Sequence, residues 1–177
     1  MKIVMMGHRM IDTVIDEDIS YETPARIDEA VRAACVSADF KAEQIELCIR
    51  FASDQSIHEL NKIWRDKDKV TDVLSFPMQE APFDAAESLG DIALAVPFIN
   101  HEAERLNLLP SDHCLHLIIH ATLHLLGFDH IDDNDAQAMQ EREQQAMHSM
   151  GLHDPYVDLE PVEKSSKPTI SEDTEQL

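Results

Sequence analysis

Three histidines are spaced so that one short stretch of chain can close around a metal ion. His120 and His124 are four residues apart, so on a helix their side chains lie one turn apart on the same face. Gly127 can then adopt the left-handed conformation that ends a helix, and the chain can turn back to bring His130 toward the other two. Three imidazoles suit Zn²⁺ and leave its fourth coordination position open. We therefore predict one zinc ion, bound by His120, His124 and His130.

The residue after the first histidine limits the chemistry of this site. The spacing H-x-x-x-H-x-x-G-x-x-H is also that of the metzincin proteases, in which a glutamate after the first histidine is the general base. Ala121 occupies that position here. Because a methyl group cannot accept a proton, the sequence predicts the metal site of a hydrolase whose substrate is not a peptide bond.

A second ligand set lies on the same predicted helix. His116 is four residues before His120, so His116, His120 and His124 follow one another at four-residue steps. The face of an α-helix drifts by about 40° at each such step, which makes it awkward for three imidazoles to converge on one ion. His130 is therefore the preferred third ligand.

The length and charge of the chain limit its class. Its 177 residues suffice for one domain with a core, which we place at residues 1–153. No apolar run is long enough to span a membrane, and the first ten residues lack the apolar stretch of a signal peptide, so we expect a cytoplasmic protein. From residue 154 onward the chain is rich in Pro, Ser, Thr and acidic residues, which predicts a disordered acidic tail over residues 154–177.

The formal net charge of -21 opposes a role in nucleic-acid binding, because such proteins usually present a basic face to the phosphates. The basic residues, however, are unevenly distributed. Residues 50–69 carry five of the 14 lysines and arginines and have a net charge of +1. A local cationic strip on an acidic body is one interpretation, and an ordinary mixed helix face is the other. The strip consists of Arg50, Lys62, Arg65, Lys67 and Lys69.

Apolar periodicity predicts alternating helices and strands. Helices are expected from Pro24, from Ser53 or Asp54, near Pro97, from Ser111 to Gly127 and over residues 133–150, and strands over residues 45–51, 72–76 and 91–95. The segment 11–15 is ambiguous. In the second helix we expect Ile57, Leu60, Ile63 and Trp64 to point inward, and in the last helix we expect Glu141, Arg142 and Glu143 to be solvated.

Three sequence blocks resemble the YbeY family of bacterial endoribonucleases, and they follow one another along the chain in that family's order. Residues 120–130 read HATLHLLGFDH, close to that family's HGxLHLxGYDH, with Ala121 in place of Gly and Phe128 in place of Tyr. Residues 60–77 read LNKIWRDKDKVTDVLSFP, and residues 89–92 read LGDI. The resemblance extends over roughly residues 10–152.

The resemblance implies a fold and an activity. The fold would be a single α+β domain in which a small mixed four-stranded sheet packs against about five helices, as in the zincin proteases. The activity would be that of a zinc-dependent, single-strand-selective endoribonuclease that matures the 3′ end of 16S rRNA and takes part in ribosome quality control. The implied partners are single-stranded RNA, pre-rRNA and the small ribosomal subunit or its assembly factors, with neither DNA nor a membrane expected.

Site residues beyond the metal ligands follow in part from the resemblance. Arg65 can donate two parallel hydrogen bonds to a phosphodiester; its position alone favours an arginine that faces a helix C-terminus, whereas the resemblance favours a catalytic role beside His120. The base is unassigned. Asp72, Asp91 and Asp129 are candidates either for proton transfer or for orienting a metal-binding histidine.

Two other functions stay open at this point. One is a peptidase or other hydrolase that takes its base from Asp91 or Asp129, against which Ala121 counts. The other is a non-catalytic ribosome-assembly factor in which the metal only stabilises the fold. Structural zinc sites usually have four protein ligands, so a set of three counts against this second alternative.

Overall fold

The computed structural model describes residues 11–41, 45–84 and 87–156. These residues form four strands and five helices. In chain order they are β1 (Ile11–Ile15), α1 (Pro24–Ser37), β2 (Leu47–Ala52), α2 (Asp54–Arg65), β3 (Val73–Pro77), β4 (Gly90–Ala95), α3 (Val96–Leu106), α4 (Pro110–Leu125) and α5 (Asp133–Ser149).

The four strands form one mixed sheet in the order β1-β2-β4-β3. β1, β2 and β4 run parallel, and Ile49 in the centre of β2 lies between Thr13 and Ile92. β3 runs antiparallel to β4 and occupies one edge of the sheet. The predicted α+β fold with a mixed four-stranded sheet is therefore confirmed, and the ambiguous segment 11–15 is strand β1.

The two faces of the sheet are covered to different extents. Side chains alternate along a strand, so Ile92 and Leu94 of β4 join the large core with α1, α4 and α5, whereas Ala93 and Ala95 join a smaller cluster with Ile57 of α2. Most of α4 is buried in the large core. The helix that carries the paired histidines is therefore held rigidly by packing.

One prediction about α2 is wrong. Ile57 and Asn61 are buried, but Ile63 is 72% exposed and Trp64 is 69% exposed. Trp64 lies near the end of the helix and contacts the ring of Phe76 edge-on, with the centroids 6.4 Å apart. α2 thus covers only part of this sheet face, and its last turn leaves large apolar side chains in solvent.

Two further predictions concern the acidic tail and membrane-spanning segments. The predicted tail falls mainly on residues 157–177, which lie outside the described residues. Among the helices that are described, none combines the length and apolar character that crossing a bilayer requires.

Candidate metal centre

The end of α4 places the histidines by a chain reversal at Gly127. Gly127 has a φ of +88°, a conformation that costs glycine little. Its N–H donates to the carbonyl of His124, and the N–H of Phe128 donates to the carbonyl of Leu123, both at 3.0 Å. These two bonds are the Schellman pattern that satisfies the last carbonyls of a helix. The turn brings His130 back beside α4.

His120, His124 and His130 form a compact group. One ring nitrogen from each lies within 4.8 Å of the other two, and this is the group among the described residues that can hold a metal ion. The Nε2 atoms of His120 and His124 are 3.1 Å apart. Two ligands at about 2.0–2.1 Å from one tetrahedral ion are separated by about 3.3 Å, so this spacing fits a shared metal.

Hydrogen bonds at the other ring nitrogens support this fit. His120 Nδ1 lies 2.6 Å from Glu143 Oε1, and His124 Nδ1 lies 2.9 Å from the carbonyl of Phe128. Both partners are acceptors, so each Nδ1 donates and each Nε2 is the ring nitrogen that faces the other histidine. A cation between the two Nε2 atoms would be bound by the lone pairs of both rings. Burial, reinforced by His120, also lowers the pKa of His124, which favours the neutral ligand form.

A cleft of about 430 Å³ opens beside this group. It is lined by β3 and the residues just before it, by the end of α2, by α3 and α4, and by His130 and Tyr156. Arg65 at the end of α2 lines the cleft together with Asp72, Ser75 and Ala121. Its guanidinium donates to the carbonyl of Ser75 at 3.0 Å, which fixes the cation at the rim.

Comparison with known proteins identifies the family. Residues 12–151 match the family described as Endoribonuclease YbeY. The chain belongs to the YbeY family. The Endoribonuclease YbeY of Azorhizobium caulinodans is 40% identical over 151 residues, which cover 82% of this chain and 95% of that protein. The Endoribonuclease YbeY of Zymomonas mobilis is 44% identical over 142 residues, covering 73% and 80%, and that of Pseudomonas syringae is 37% identical over 164 residues, covering 91% and 98%.

A solved structure supports the same fold. The solution structure of TM1509 from Thermotoga maritima superposes with a TM-score of 0.54 at 20% identity, covering 80% of this chain and 92% of that one. This likeness extends to the arrangement of strands and helices.

Glu143 is a site residue that the sequence did not predict. We expected it on a solvated face of α5, but it is 1% exposed. Its carboxylate accepts from His116 at 2.8 Å and from His120 at 2.6 Å. Burial alone would raise the pKa of Glu143, yet these two hydrogen bonds hold it at about 2. The chain thus carries an ionised carboxylate behind His120, the usual partner of a metal-binding imidazole.

Tyr156 joins the same network. Its hydroxyl donates to Glu143 Oε2, and its ring contacts His116 edge-on with the centroids 6.2 Å apart. It also lines the cleft. Burial and the bond to Glu143 raise the pKa of Tyr156, which keeps the hydroxyl protonated as a donor. Tyr156 is three residues into the segment assigned to the tail, and the sequence contains no local signal for this contact.

The other histidines of α4 have partners of their own. His116 Nε2 bonds Glu143 and lies outside the three-histidine group, so the structure does not assemble the helix-only set. His113 Nε2 lies 3.0 Å from Glu102 Oε2. Both rings line the cleft, where each is oriented by a glutamate.

The three candidate aspartates lie in different places. Asp72 lines the cleft, and its Oδ1 accepts from the Thr71 hydroxyl and from the Val73 N–H, which opens β3. Asp129 is exposed and accepts from the N–H of His130 at 2.7 Å. Asp91 lines a different cavity, on the sheet face that α2 partly covers, and burial raises its pKa. Asp72 and Asp129 are therefore beside the metal group, and Asp91 is not.

The predicted cationic strip is only partly assembled. Lys62 pairs with Asp68 at 3.2 Å, and Arg50 pairs with Asp16 at 2.8 Å. Lys67 and Lys69 are exposed in the loop after α2. Arg65 alone among the five lines the histidine cleft.

Proposed function

We propose that this member of the YbeY family is a metal-dependent endoribonuclease that cleaves single-stranded RNA in the maturation of ribosomal RNA, including the 3′ end of 16S rRNA, and in ribosome quality control. The observation that carries the proposal is the three-histidine group in a cleft that Arg65 also lines. The names of its relatives support RNA as the substrate.

We propose Zn²⁺ as the metal and His120, His124 and His130 as its ligands. Three neutral imidazoles are donors that Zn²⁺ accepts readily. When bound, the ion supplies Lewis acidity that stabilises charge on phosphate oxygens. Glu143 keeps the proton of His120 on Nδ1, so that Nε2 stays available as a ligand.

Arg65 would position the scissile phosphodiester. A guanidinium can donate two parallel hydrogen bonds to the nonbridging oxygens and remains charged at any working pH. Those oxygens gain negative charge as the bond breaks, so the same contacts strengthen in the transition state. Asp72 and Asp129 stay candidates for proton transfer because both lie beside the metal group.

The two alternative functions are less well supported. Ala121 is buried and lines the cleft at the position where a metzincin has its base. A metal that only stabilises the fold would need neither an open cleft nor an arginine at its rim. The further assignments, namely the cytoplasm as location and the small ribosomal subunit or assembly factors as partners, rest on the family resemblance.

The proposal is tested by comparing substrates. Zinc-loaded protein is incubated with an unstructured RNA, with the same RNA in a duplex, and with casein. We expect cleavage of the unstructured RNA, much slower cleavage of the duplex and no proteolysis. His124→Ala should abolish cleavage, whereas His58→Ala, which alters a histidine of α2 distant in sequence from the ligands, should not. Casein hydrolysis, or RNA cleavage that survives in His124→Ala, would contradict the proposal.

A further inference from the structure

A second cavity, of about 680 Å³, opens on the sheet face that α2 covers only in part. We call it the sheet groove. It is as large as typical small-molecule sites, which span roughly 300–1,000 Å³. Arg50, Arg65 and Asp91 contribute its charged groups. Its apolar lining comes from Val14, Leu60, Trp64, Phe76, Met78 and Ala93.

The apolar wall of the sheet groove is open to solvent. Trp64 is 69% exposed and Met78 is 61% exposed in the described part of the chain. Phe76 is half-buried and meets Trp64 edge-on. Contiguous exposed apolar side chains of this size are characteristic of binding surfaces. Trp64 is also the single tryptophan of the chain.

The sheet groove continues into the histidine cleft. Arg65 and Ser75 line both cavities, and the hydrogen bond between them spans the boundary at the free edge of β3. A polymer that placed one phosphate at Arg65 would have its neighbouring residues at the entrance of the sheet groove.

The charge of the sheet groove favours an anionic occupant with flat apolar groups. Its lining carries two guanidinium groups and one carboxylate. Arg50 pairs with Asp16 at 2.8 Å, whereas Arg65 bonds the neutral carbonyl of Ser75 and can still bind an anion. Single-stranded nucleic acid offers phosphates to arginines and free bases to aromatic rings. In a duplex the bases already stack on each other and cannot enter. An apolar protein segment would fit the tryptophan but would bury the Arg65 guanidinium without an anionic partner.

We propose that the sheet groove binds unpaired bases of RNA next to the scissile phosphate, with Trp64 and Phe76 as the stacking surface. This inference rests on the proposed endoribonuclease function. It supplies a physical reason for selecting single strands that the metal group alone does not provide.

Binding is measured on the zinc-loaded full-length protein with an unstructured, fully 2′-O-methylated RNA of about eight nucleotides, near the length that one such surface accommodates. We expect the RNA to quench the fluorescence of Trp64. In anisotropy titrations with labelled RNA, Trp64→Ala should weaken binding about tenfold, since stacking on one aromatic side chain contributes that much or more. Trp64→Phe should restore most of the affinity.

Ile63→Ala is the matched control. Ile63 is the preceding residue and is equally exposed, but it does not line the sheet groove, so its variant should bind RNA like the wild type. Melting temperatures of all three variants should stay near that of the wild type, because neither side chain is in the core.

The outcomes separate this inference from the proposed function. If wild-type protein cleaves unstructured RNA and Trp64→Ala binds and cleaves it equally well, the inference fails alone. If wild-type protein neither binds nor cleaves RNA, the proposed function is wrong, and the inference that rests on it is wrong as well. A change of oligomeric state in Trp64→Ala with unchanged RNA affinity would assign the groove to a second copy. Emission typical of a buried indole before RNA is added would assign it to another segment of the chain. Either the change of oligomeric state or the buried indole emission would overturn the inference.

Discussion

At the scale of single residues, the site depends on which nitrogen of each imidazole faces the cleft. His120 and His124 each donate from Nδ1, to Glu143 and to the carbonyl of Phe128, so Nε2 would be the ligand atom in both. The second acceptor is backbone and follows from the helix end itself. The first is a side chain on α5, and it is open to mutation.

Glu143→Gln should lower zinc affinity about 10- to 100-fold, because loss of such a hydrogen-bonded carboxylate releases the orientation of its histidine. Competition with a chromophoric chelator measures the affinity. Tyr156→Phe, which removes one donor and retains the Glu143 carboxylate, should have a smaller effect. The control is Glu141→Gln, which alters an exposed glutamate of the same helix. Equal zinc affinity in Glu143→Gln and Glu141→Gln would show that Glu143 has no influence on the metal.

Arg65→Lys should lower kcat/KM for RNA by about 100-fold or more, with metal content and melting temperature near wild type. Lysine keeps the charge and loses the planar pair of donors, and removal of one such donor commonly costs this much. Arg105→Lys, at an exposed arginine of α3 outside the cleft, is the control. Undiminished turnover in Arg65→Lys would return Arg65 to the role of a helix-end cation.

The three histidines could be predicted from their local spacing. The side chain that hydrogen-bonds to His120 could not be predicted, because it lies far away along the chain. The i, i+4 pair and the glycine stop are properties of a few consecutive residues, and the structure brings all three rings together. Glu143 lies 23 residues from His120, and nothing in α5 alone distinguishes it from its exposed neighbour Glu141. The prediction that Trp64 is buried was wrong for a different reason. Helical periodicity indicates which face of a helix is apolar, but it does not show how far the sheet beneath that face extends.

At the scale of elements, the residue just before the N-cap of α1 is a buried acid outside the site. Glu22 immediately precedes the N-cap of α1 and is 9% exposed. Burial raises its pKa to about 7, and Asp112 at the start of α4 adds to the shift. Between about pH 4.5 and pH 7 the folded protein therefore binds more protons at Glu22 than the unfolded chain does, so stability falls as the pH rises through this range.

Glu22→Gln should remove this loss. We expect the variant to gain stability relative to the wild type on going from about pH 5 to pH 8, by an amount on the order of 1–2 kcal/mol. Urea unfolding of both proteins at each pH measures the difference, in which contributions of the metal common to both cancel. Glu59→Gln, at an exposed residue of α2, should show no such trend. A difference between Glu22→Gln and wild type that does not change with pH would refute the assignment.

The elements themselves were largely predictable. Every predicted helix and strand has a counterpart, because capping residues and proline mark their starts: Ser53 accepts from the N–H of Ser56, and Pro24 stands at the first position of α1. No local sequence pattern predicts the sheet order, in which β4 lies between β2 and β3. Strand pairing depends on contacts between distant segments, and only the family resemblance anticipated a mixed sheet.

At the scale of the whole molecule, acidic charge opposes an anionic substrate. RNA should therefore bind weakly. The salt dependence of binding should be set by the few cations near the cleft, and the logarithm of the binding constant should fall against the logarithm of the salt concentration with a slope of about -0.7 for each phosphate neutralised. Lys67→Glu should weaken binding and flatten this slope. Lys41→Glu changes the net charge equally at a residue outside the predicted strip, and it should have less effect. Equal losses in the two variants, measured by anisotropy across a salt series, would mean that only net charge matters.

RNA cleavage is expected to depend on one metal ion bound by His120, His124 and His130. Titration of metal-depleted protein with Zn²⁺, with the cleavage rate of single-stranded RNA and the bound zinc recorded at each step, tests it most directly. We predict that activity is absent at the start, rises with bound zinc and reaches its plateau at about one ion per chain, as three ligands around one ion require. His130→Ala should show neither the binding nor the rise. Full activity of the metal-depleted protein, or a plateau unrelated to zinc content, would contradict the account.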